Sequence, residues 1–254
     1  MRITARGLLR SEWTKLWSVR SLWVTLAAAF ALTIGLATYL IVDGGMLGGD
    51  EAGDIPFGFT AIYPVGMLAL VVLGVLSMAG EYATGSIRTS MVAAPRRTGV
   101  LLAKAAVVSA VAWVLGLLTS VLLYTVLQVA DTVPAARGMS LLDPAMLWGV
   151  LAGTLLLPFG ALFGVLLGAL TRNAAAAIVL YFAVFQMGPQ ILPALLPDSV
   201  AWVLDYLPLA ALDVVRAGGL TTEPYGIGTA GLVAACWIVG LGAAGWRLLK
   251  TRDV

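Results

Sequence analysis

The sequence has no histidine, one cysteine and few charged residues. Asp, Glu, Lys and Arg make up 11% of its 254 residues, whereas soluble globular chains carry about 25%. The lack of histidine excludes imidazole as a catalytic base, a nucleophile or a metal ligand. Cys236 is the single cysteine, so no disulfide can form within the chain. Hydrophobic residues account for 61%. A water-soluble domain of this size cannot bury so much apolar surface, so the composition predicts a membrane protein.

Six apolar segments are long enough to cross a bilayer. A helix needs about 20 mainly apolar residues to span roughly 30 Å of hydrocarbon. Because backbone groups in lipid must be hydrogen-bonded internally, we expect each segment to be helical. The fold class is therefore an all-α integral membrane protein, with residues 1–254 forming a single transmembrane domain. The predicted spans cover residues 22–42, 60–79, 105–130, 146–170, 174–196 and 227–246.

The basic residues predict how these spans are oriented. Loops on the cytoplasmic side of a membrane carry an excess of Lys and Arg. Thirteen of the 15 basic residues precede the first span or follow the second, fourth or sixth, and only Arg137 and Arg216 lie on the other side. We therefore expect both termini to be cytoplasmic. Three lysines among many Ala, Gly, Val and Leu residues are typical of a GC-rich bacterial genome. The expected location is thus a bacterial cytoplasmic membrane.

The spans lack the groups that most membrane enzymes and ion-coupled carriers use. Their predicted cores contain no Asp, Glu, Lys, Arg or His, whereas proton- and ion-coupled carriers usually have ionisable residues at mid-membrane. They hold no aspartate pair, Ser–His pair or histidine zinc site for an intramembrane protease. The chain also has no G-x-x-x-x-G-K-[ST] phosphate loop. If the protein takes part in active transport, the energy of ATP must come from another polypeptide.

The N-terminal segment predicts an amphipathic helix within residues 1–21. In LLRSEWTKLWSVRS, apolar residues recur at helical spacing and polar residues fall opposite them. Arg6 falls near the apolar side, which would place the start of the helix later. Two interpretations fit: an anchor with aromatic residues at the inner leaflet, or an elbow helix that also contacts a partner protein. The apolar stripe consists of Leu9, Trp13, Leu16 and Trp17.

A polar strip, GEYATGSIRTSMVAAPRR, separates the second and third spans at residues 80–97. Glu81 lies at the cytoplasmic end of the second span. A short helix is expected over about Thr84–Ala94, with Gly85 allowing a sharp entry and Pro95 ending it. Two interpretations fit: a positive-inside loop that fixes topology, or a docking site for a soluble protein domain. An acid, a glycine hinge and a short helix favour docking, because topology requires only the positive charges.

Taken together, the whole chain resembles a permease of the type-2 ABC exporter family. SEWTKLWSVRS at residues 11–21 is similar to the basic E-x-x-K-x-x-S-x-R leader of that family, and the strip at 80–97 is similar to its E-[YF]-x-x-G-[TS]-x-x motif. By this resemblance the strip is the coupling helix that contacts the ATPase subunit, through Glu81, Tyr82, Thr84, Gly85, Ser86 and Arg88. The N-terminal helix is by the same resemblance the elbow helix, represented by Glu12, Trp13, Lys15, Trp17 and Arg20.

The resemblance also implies partners and cofactors. ATP and magnesium would bind to a separate ATPase subunit, so this chain would be a non-catalytic transport subunit with no cofactor of its own. Two permease chains, identical or paralogous, would form the translocation path in contact with membrane lipids. No nucleic acid is an expected partner. Members of the family export drugs, antibiotics and lipid-linked compounds, which implies a hydrophobic or amphiphilic substrate, including peptides.

Two features of the outer half concern the path itself. Short extracellular helices are expected between spans five and six, at residues 198–219, where Pro208 splits the segment. They would either close the outer exit of a path or pack the outer ends of the spans. Three prolines predict a bend in the outer half of the fifth span. The bend lies beside Gln186 and Gln190, the candidate path-lining residues.

The fourth span contains a stripe of small residues. Residues four apart lie on one face of a helix, and small ones there let two helices approach closely in lipid. The stripe predicts either tight packing within the chain or contact with a partner subunit. Its members are Gly160, Gly164 and Gly168.

Two other functions compete with an exporter subunit. A non-transporting membrane scaffold or sensor that recruits a cytoplasmic partner would explain the motifs of the inner face, although not the bend and polar pair of the fifth span. A secondary carrier is disfavoured by the uncharged span cores.

Overall fold

The computed structural model describes residues 4–42, 60–87, 97–129, 138–218 and 225–251. Within these ranges the regular secondary structure is helical and no strand occurs. The helices are α1 (Ala5–Ser18), α2 (Arg20–Val42), α3 (Tyr63–Ala83), α4 (Arg97–Val129), α5 (Pro144–Thr171), α6 (Ala174–Leu180), α7 (Gly188–Ile191), α8 (Asp198–Ala201), α9 (Pro208–Arg216) and α10 (Ile227–Thr251). A π-helical segment, Tyr181–Gln186, joins α6 to α7, and 3₁₀ turns follow α7 and α8 at Leu192–Ala194 and Trp202–Tyr206.

Six helical stretches in the described residues are long and apolar enough to cross a membrane. They confirm the all-helical, six-span prediction, and the protein is a multi-pass membrane protein by this criterion. The stretches are Trp23–Ile41, Tyr63–Ala83, Thr98–Val129, Pro144–Thr171, Ala174–Ala194 and Ile227–Thr251.

Three spans extend further than predicted at the same end of the bundle. α3 continues to Ala83, α4 begins at Arg97, and α10 continues to Thr251. The predicted boundaries stopped at charged residues, but a helix continues through them when ion pairs neutralise the charges or when they reach a polar surface. We call this the inner end of the bundle, because the distribution of basic residues predicts that it faces the cytoplasm.

The fifth span, predicted for residues 174–196 with a bend at its prolines, is divided into several helical segments. α6 ends at Leu180, and the backbone widens into the π-helical segment before α7 begins. Proline has no N–H to donate, and its ring is unfavourable in the interior of a regular helix. Pro189 therefore occupies the first turn of α7, and Pro193 lies in the 3₁₀ turn that follows. The predicted irregularity is present, but it starts at Tyr181, before the first proline.

α5 is the central helix of the bundle and packs against α3 and α4. Its glycine stripe faces α3. A Cβ at Gly164 would overlap the carbonyl oxygen of Val71, and one at Gly168 would lie 3.0 Å from the carbonyl oxygen of Val75. Close van der Waals contact is a main source of helix association in lipid. This face of α5, which includes Gly160, is therefore occupied within the chain.

The short helices between the fifth and sixth spans are held by two indole groups. Pro208 begins α9 and so divides the segment as predicted. Trp148 Nε1 of α5 donates to the carbonyl oxygen of Val215 at 2.7 Å. Trp237 Nε1 of α10 donates to that of Tyr206 at 2.8 Å. Each indole is partly buried and supplies one hydrogen-bond donor to a backbone carbonyl oxygen of the connecting segment.

Candidate functional site

Four ionisable side chains meet at the inner end of the bundle. Lys15 Nζ of α1 lies 2.6 Å from Glu12 Oε1 and 3.0 Å from Glu81 Oε1 of α3. Lys104 Nζ of α4 lies 2.7 Å from Glu12 Oε2 and 2.8 Å from Glu81 Oε1. Each ammonium group thus contacts both carboxylates. We call these four residues the charge ring, and it joins three helices.

Local features of three helices bring the charge ring together. α1 turns Glu12 inward, so that this acid is buried. A Cβ at Gly99 of α4 would lie 3.1 Å from the side chain of Leu8, so glycine at this position lets α1 lie close to α4. α3 continues past its predicted end and so carries Glu81 to the same place. Lys104 lies two turns into α4, on a helix that starts eight residues earlier than predicted.

Three members of the charge ring are removed from water. The side chain of Glu12 is 4% exposed, that of Lys104 5% and that of Glu81 11%, whereas that of Lys15 is 40% exposed. A buried charge is tolerated when it is paired and hydrogen-bonded. In the charge ring, each carboxylate is paired with two ammonium groups and each ammonium group with two carboxylates. The four residues together carry no net charge.

The environment of Lys15 favours its charged form. Burial by itself acts to lower the pKa of this ammonium group, but its hydrogen bonds to the two carboxylates and their negative charge act the other way. The net effect raises the pKa of Lys15 above its ordinary value. Lys15 therefore remains an ionised member of the ring at neutral pH.

Arg172 forms a second link at the inner end. It lies in the turn between α5 and α6 with φ of 56°, a left-handed conformation that is uncommon for a residue with a side chain. Its Nη2 donates to the carbonyl oxygen of Leu248 at 3.0 Å, and its guanidinium carbon lies 5.0 Å from the centre of the Tyr82 ring. Arg172 thus connects the inner ends of α3, α5 and α10, next to Glu81.

The strip after α3 begins with an exposed turn. Gly85 has φ of 70°, and this left-handed conformation interrupts the helix. Thr84 caps α3, and helical backbone resumes at Ser86 and Ile87, so the predicted start of the short helix at Thr84 is two residues early. Residues 83–86 are exposed and Ile87 is buried. Most of the predicted short helix, including Arg88, lies outside the described residues.

α1 is a helix as predicted, but its apolar stripe divides between two environments. Leu16 packs into the protein, because it follows the buried Glu12 by one turn. Trp13 and Trp17 remain exposed, with ring centroids 5.4 Å apart. The helix begins at Ala5, so Arg6 lies within it and not before it, contrary to the expectation.

The roles of two residues at the inner end of the bundle were not predicted from the sequence. Lys104 was assigned to a loop, and Arg172 was counted only as a topology signal. Arg20, a predicted elbow residue, is the first residue of α2 and is exposed. The one signal for Lys104 is its position within an apolar run that begins at Val100. A lone cation there needs an acidic partner, and Glu81 is the corresponding lone acid of the second span.

The candidate path residues are used in local hydrogen bonds. Gln186 Oε1 accepts from Tyr181 Oη at 3.3 Å, and Gln190 Nε2 donates to the carbonyl oxygen of Gln186 at 3.4 Å. Their assignment to a path stays a prediction. Neither glutamine lines the apolar groove of about 530 Å³ on α10, which is formed by Tyr206, Thr229, Leu232, Val233, Cys236, Trp237, Gly240 and Leu241.

The inner site, which comprises the charge ring and Arg172, connects several helices of the bundle. Its ion pairs join α1, α3 and α4, and displacement of Glu81 would act on α1 and α4 at once. Within the ranges that the structure describes, no group of His, Cys, Asp and Glu is placed to bind a metal ion. No protein-family model matches the chain, and no curated protein matches it.

Proposed function

We propose that the chain is the permease subunit of an ATP-driven ABC exporter that works with a separate ATPase subunit. The observation that carries this proposal is the exposed turn at residues 83–86 beside the charge ring. The turn begins two residues after Glu81, and Glu81 contacts both ammonium groups of the ring. A protein that binds the turn would therefore act on a residue that already holds α1 and α4.

The proposed mechanism passes movement from the ATPase to the spans. ATP binding would bring two ATPase subunits together and displace the turn, and with it the inner end of α3. Because Glu81 is paired with Lys15 and Lys104, this displacement would move α1 and α4 together with α3. The close contact of α3 with α5 at Gly164 would carry the movement toward the outer end.

The substrate in this proposal is a hydrophobic or amphiphilic compound: a drug, an antibiotic, a lipid or a peptide. The described spans carry their charged residues at the ends and not in the centre, which suits an apolar or amphiphilic solute better than a small ion. The path would lie between two permease chains, identical or paralogous. The proposed location is a bacterial cytoplasmic membrane, with both termini in the cytoplasm.

The first test is a pull-down of the tagged chain from its native membrane, with identification of the proteins that co-purify. We expect a stoichiometric ATPase with the wild type. The double variant S86E/R88E should lose it, because it changes the predicted docking strip, which begins with the exposed turn, and leaves the charge ring unaltered. R247E changes an exposed arginine on α10 at the same end and should retain it. A wild-type preparation without ATPase would overturn the proposal and favour the scaffold.

A second test separates coupling from docking. In Glu81→Ala, Lys104 keeps Glu12 as its partner, so the chain should still insert into the membrane. We expect ATP turnover stimulated by the permease to fall, because the connection between the turn and α4 is lost. Normal turnover in this variant would refute the coupling role of Glu81.

A further inference from the structure

The cations of α1 have two different environments. Lys15 is bound by two carboxylates on the side of the helix that faces the bundle. Arg6 and Arg10 lie one turn apart and are exposed. In the part of the chain that the structure describes, neither guanidinium group has an acidic partner.

These two arginines share a face with the exposed tryptophans of α1. Arg6 and Trp13 are seven residues apart, as are Arg10 and Trp17, and seven residues make two helical turns. The Trp17 ring also lies 4.0 Å from that of Trp23, at the corner where the chain turns into the first span. This places an aromatic cluster beside two exposed cations at the inner end of the bundle.

We propose that this face of α1 binds the headgroups of anionic phospholipids. Guanidinium groups match phosphate oxygens with two parallel hydrogen bonds. Since neither arginine forms an ion pair within the described residues, both positive charges complement an anionic headgroup. Indole rings prefer the boundary between headgroups and acyl chains. Trp13 and Trp17 would therefore set the depth of α1, and the arginines would select lipids by charge.

In this proposal, α1 is held in place on both of its faces. Glu12 and Lys15 hold it to α3 and α4 from the inside, and bound lipid would hold it from the outside. A ligand that binds only the folded arrangement stabilises it by mass action. Anionic lipid should therefore raise the thermal stability of the protein, and a neutral lipid with the same acyl chains should do so less.

The test is native mass spectrometry of the purified full-length chain in detergent, titrated with phosphatidylglycerol or with phosphatidylcholine of the same acyl chains. We expect the wild type to prefer the anionic lipid. Because one surface arginine contributes about a fivefold preference, the double variant R6Q/R10Q should lose roughly 25-fold. R247Q/K250Q is the matched control, since it removes two exposed cations from α10 at the same end and should keep the preference.

A third variant, W13A/W17A, separates the two contributions. Both side chains are exposed, so we expect the fold to persist and the binding of both lipids to weaken. Wild-type preference in R6Q/R10Q would overturn the proposal, as would an equal loss in R247Q/K250Q, which would indicate a general effect of net charge. Loss of a co-purifying acidic protein in R6Q/R10Q with no change in lipid preference would assign the face to that protein instead. None of these results depends on an ATPase partner.

Discussion

The two ends of the helix bundle are held together by different interactions. At the inner end, ion pairs among four side chains join three helices, and three of these side chains are at most 11% exposed. At the outer end, indole groups bind backbone carbonyl oxygens. The ion pair of Arg216 with Asp213 is joined to Thr60, three residues before α3, by a long hydrogen bond from Arg216 Nε to Thr60 Oγ1 at 3.5 Å.

The difference lies in what happens to the acid when its partner is removed. Glu12 is buried, so water cannot replace the lost ammonium group. The side chain of Asp213 is 49% exposed, so water can hydrate it. We therefore expect removal of one partner to destabilise the whole inner end, whereas removal of one partner at the outer end should cost less stability.

The largest effect is expected from Lys104→Met. It leaves two buried acids to share the partly exposed Lys15, and an uncompensated buried charge costs about 3–5 kcal/mol. The thermal unfolding midpoint in detergent should fall steeply. The double variant E12Q/K104M removes one charge of each sign and leaves Glu81 paired with Lys15, so it should recover most of the loss. Equal stability of the single and double variants would contradict the burial argument.

Arg216→Met tests the outer end by the same kind of change. It removes an ion pair and the hydrogen bond to Thr60, but leaves an acid that water can reach. A hydrogen bond to a charged group contributes about 1.5–3 kcal/mol, so the loss should be smaller than in Lys104→Met. The same unfolding assay measures both. An equal or larger loss would show that the ends do not differ in this way.

Gly164→Ala tests the contact that joins the two ends. Its Cβ would overlap the backbone of α3, and overpacking costs about 1–3 kcal/mol. Gly231→Ala is the matched control, because a Cβ there would have no atom within 4 Å apart from the neighbouring backbone of its own helix. The control should be neutral or stabilising by up to about 1 kcal/mol, since alanine favours helix. Equal destabilisation of both variants would disprove close packing as the cause.

The smallest effect concerns the pH dependence of Lys15. Its pKa is raised above the ordinary value of 10.5 in the folded protein. The stabilisation is therefore fully present below the unfolded pKa and is lost as pH rises through the folded pKa. Since Lys15 is partly exposed, the loss should be under about 1 kcal/mol. Unfolding midpoints of wild type and Lys15→Gln should converge in strongly alkaline buffer, and a constant difference would argue against the ion pair.

Local pattern was enough to predict the spans, but not the partners of individual side chains. Length and apolar composition decide whether a segment can cross a bilayer, so the six spans were predictable. The spacing of Gly160, Gly164 and Gly168 predicted a close contact without naming the helix on the other side. The pairing of Lys104 with Glu12 joins residues far apart in the sequence, and only the path of α1 across α4 brings them together.

The position of the π-helical segment likewise could not be predicted from local sequence pattern. Prolines predicted an irregular fifth span, but the position of the irregularity coincides with a cluster of rings around Phe163. Tyr181 and Phe185 lie 6.1 and 5.1 Å from that ring, at the two ends of one wide turn. Packing between distant helices thus fixes where the helix changes form, and no local signal in the sequence marks that position.

The balance of the charge ring has an electrical consequence. Moving one elementary charge through a membrane potential of 100 mV takes about 2.3 kcal/mol. Two carboxylates and two ammonium groups that move together carry no net charge, so the voltage neither drives nor opposes their motion along the membrane normal. In the proposed exporter, the four residues of the charge ring could therefore shift with each ATP cycle at the same energetic cost in a polarised or a depolarised cell.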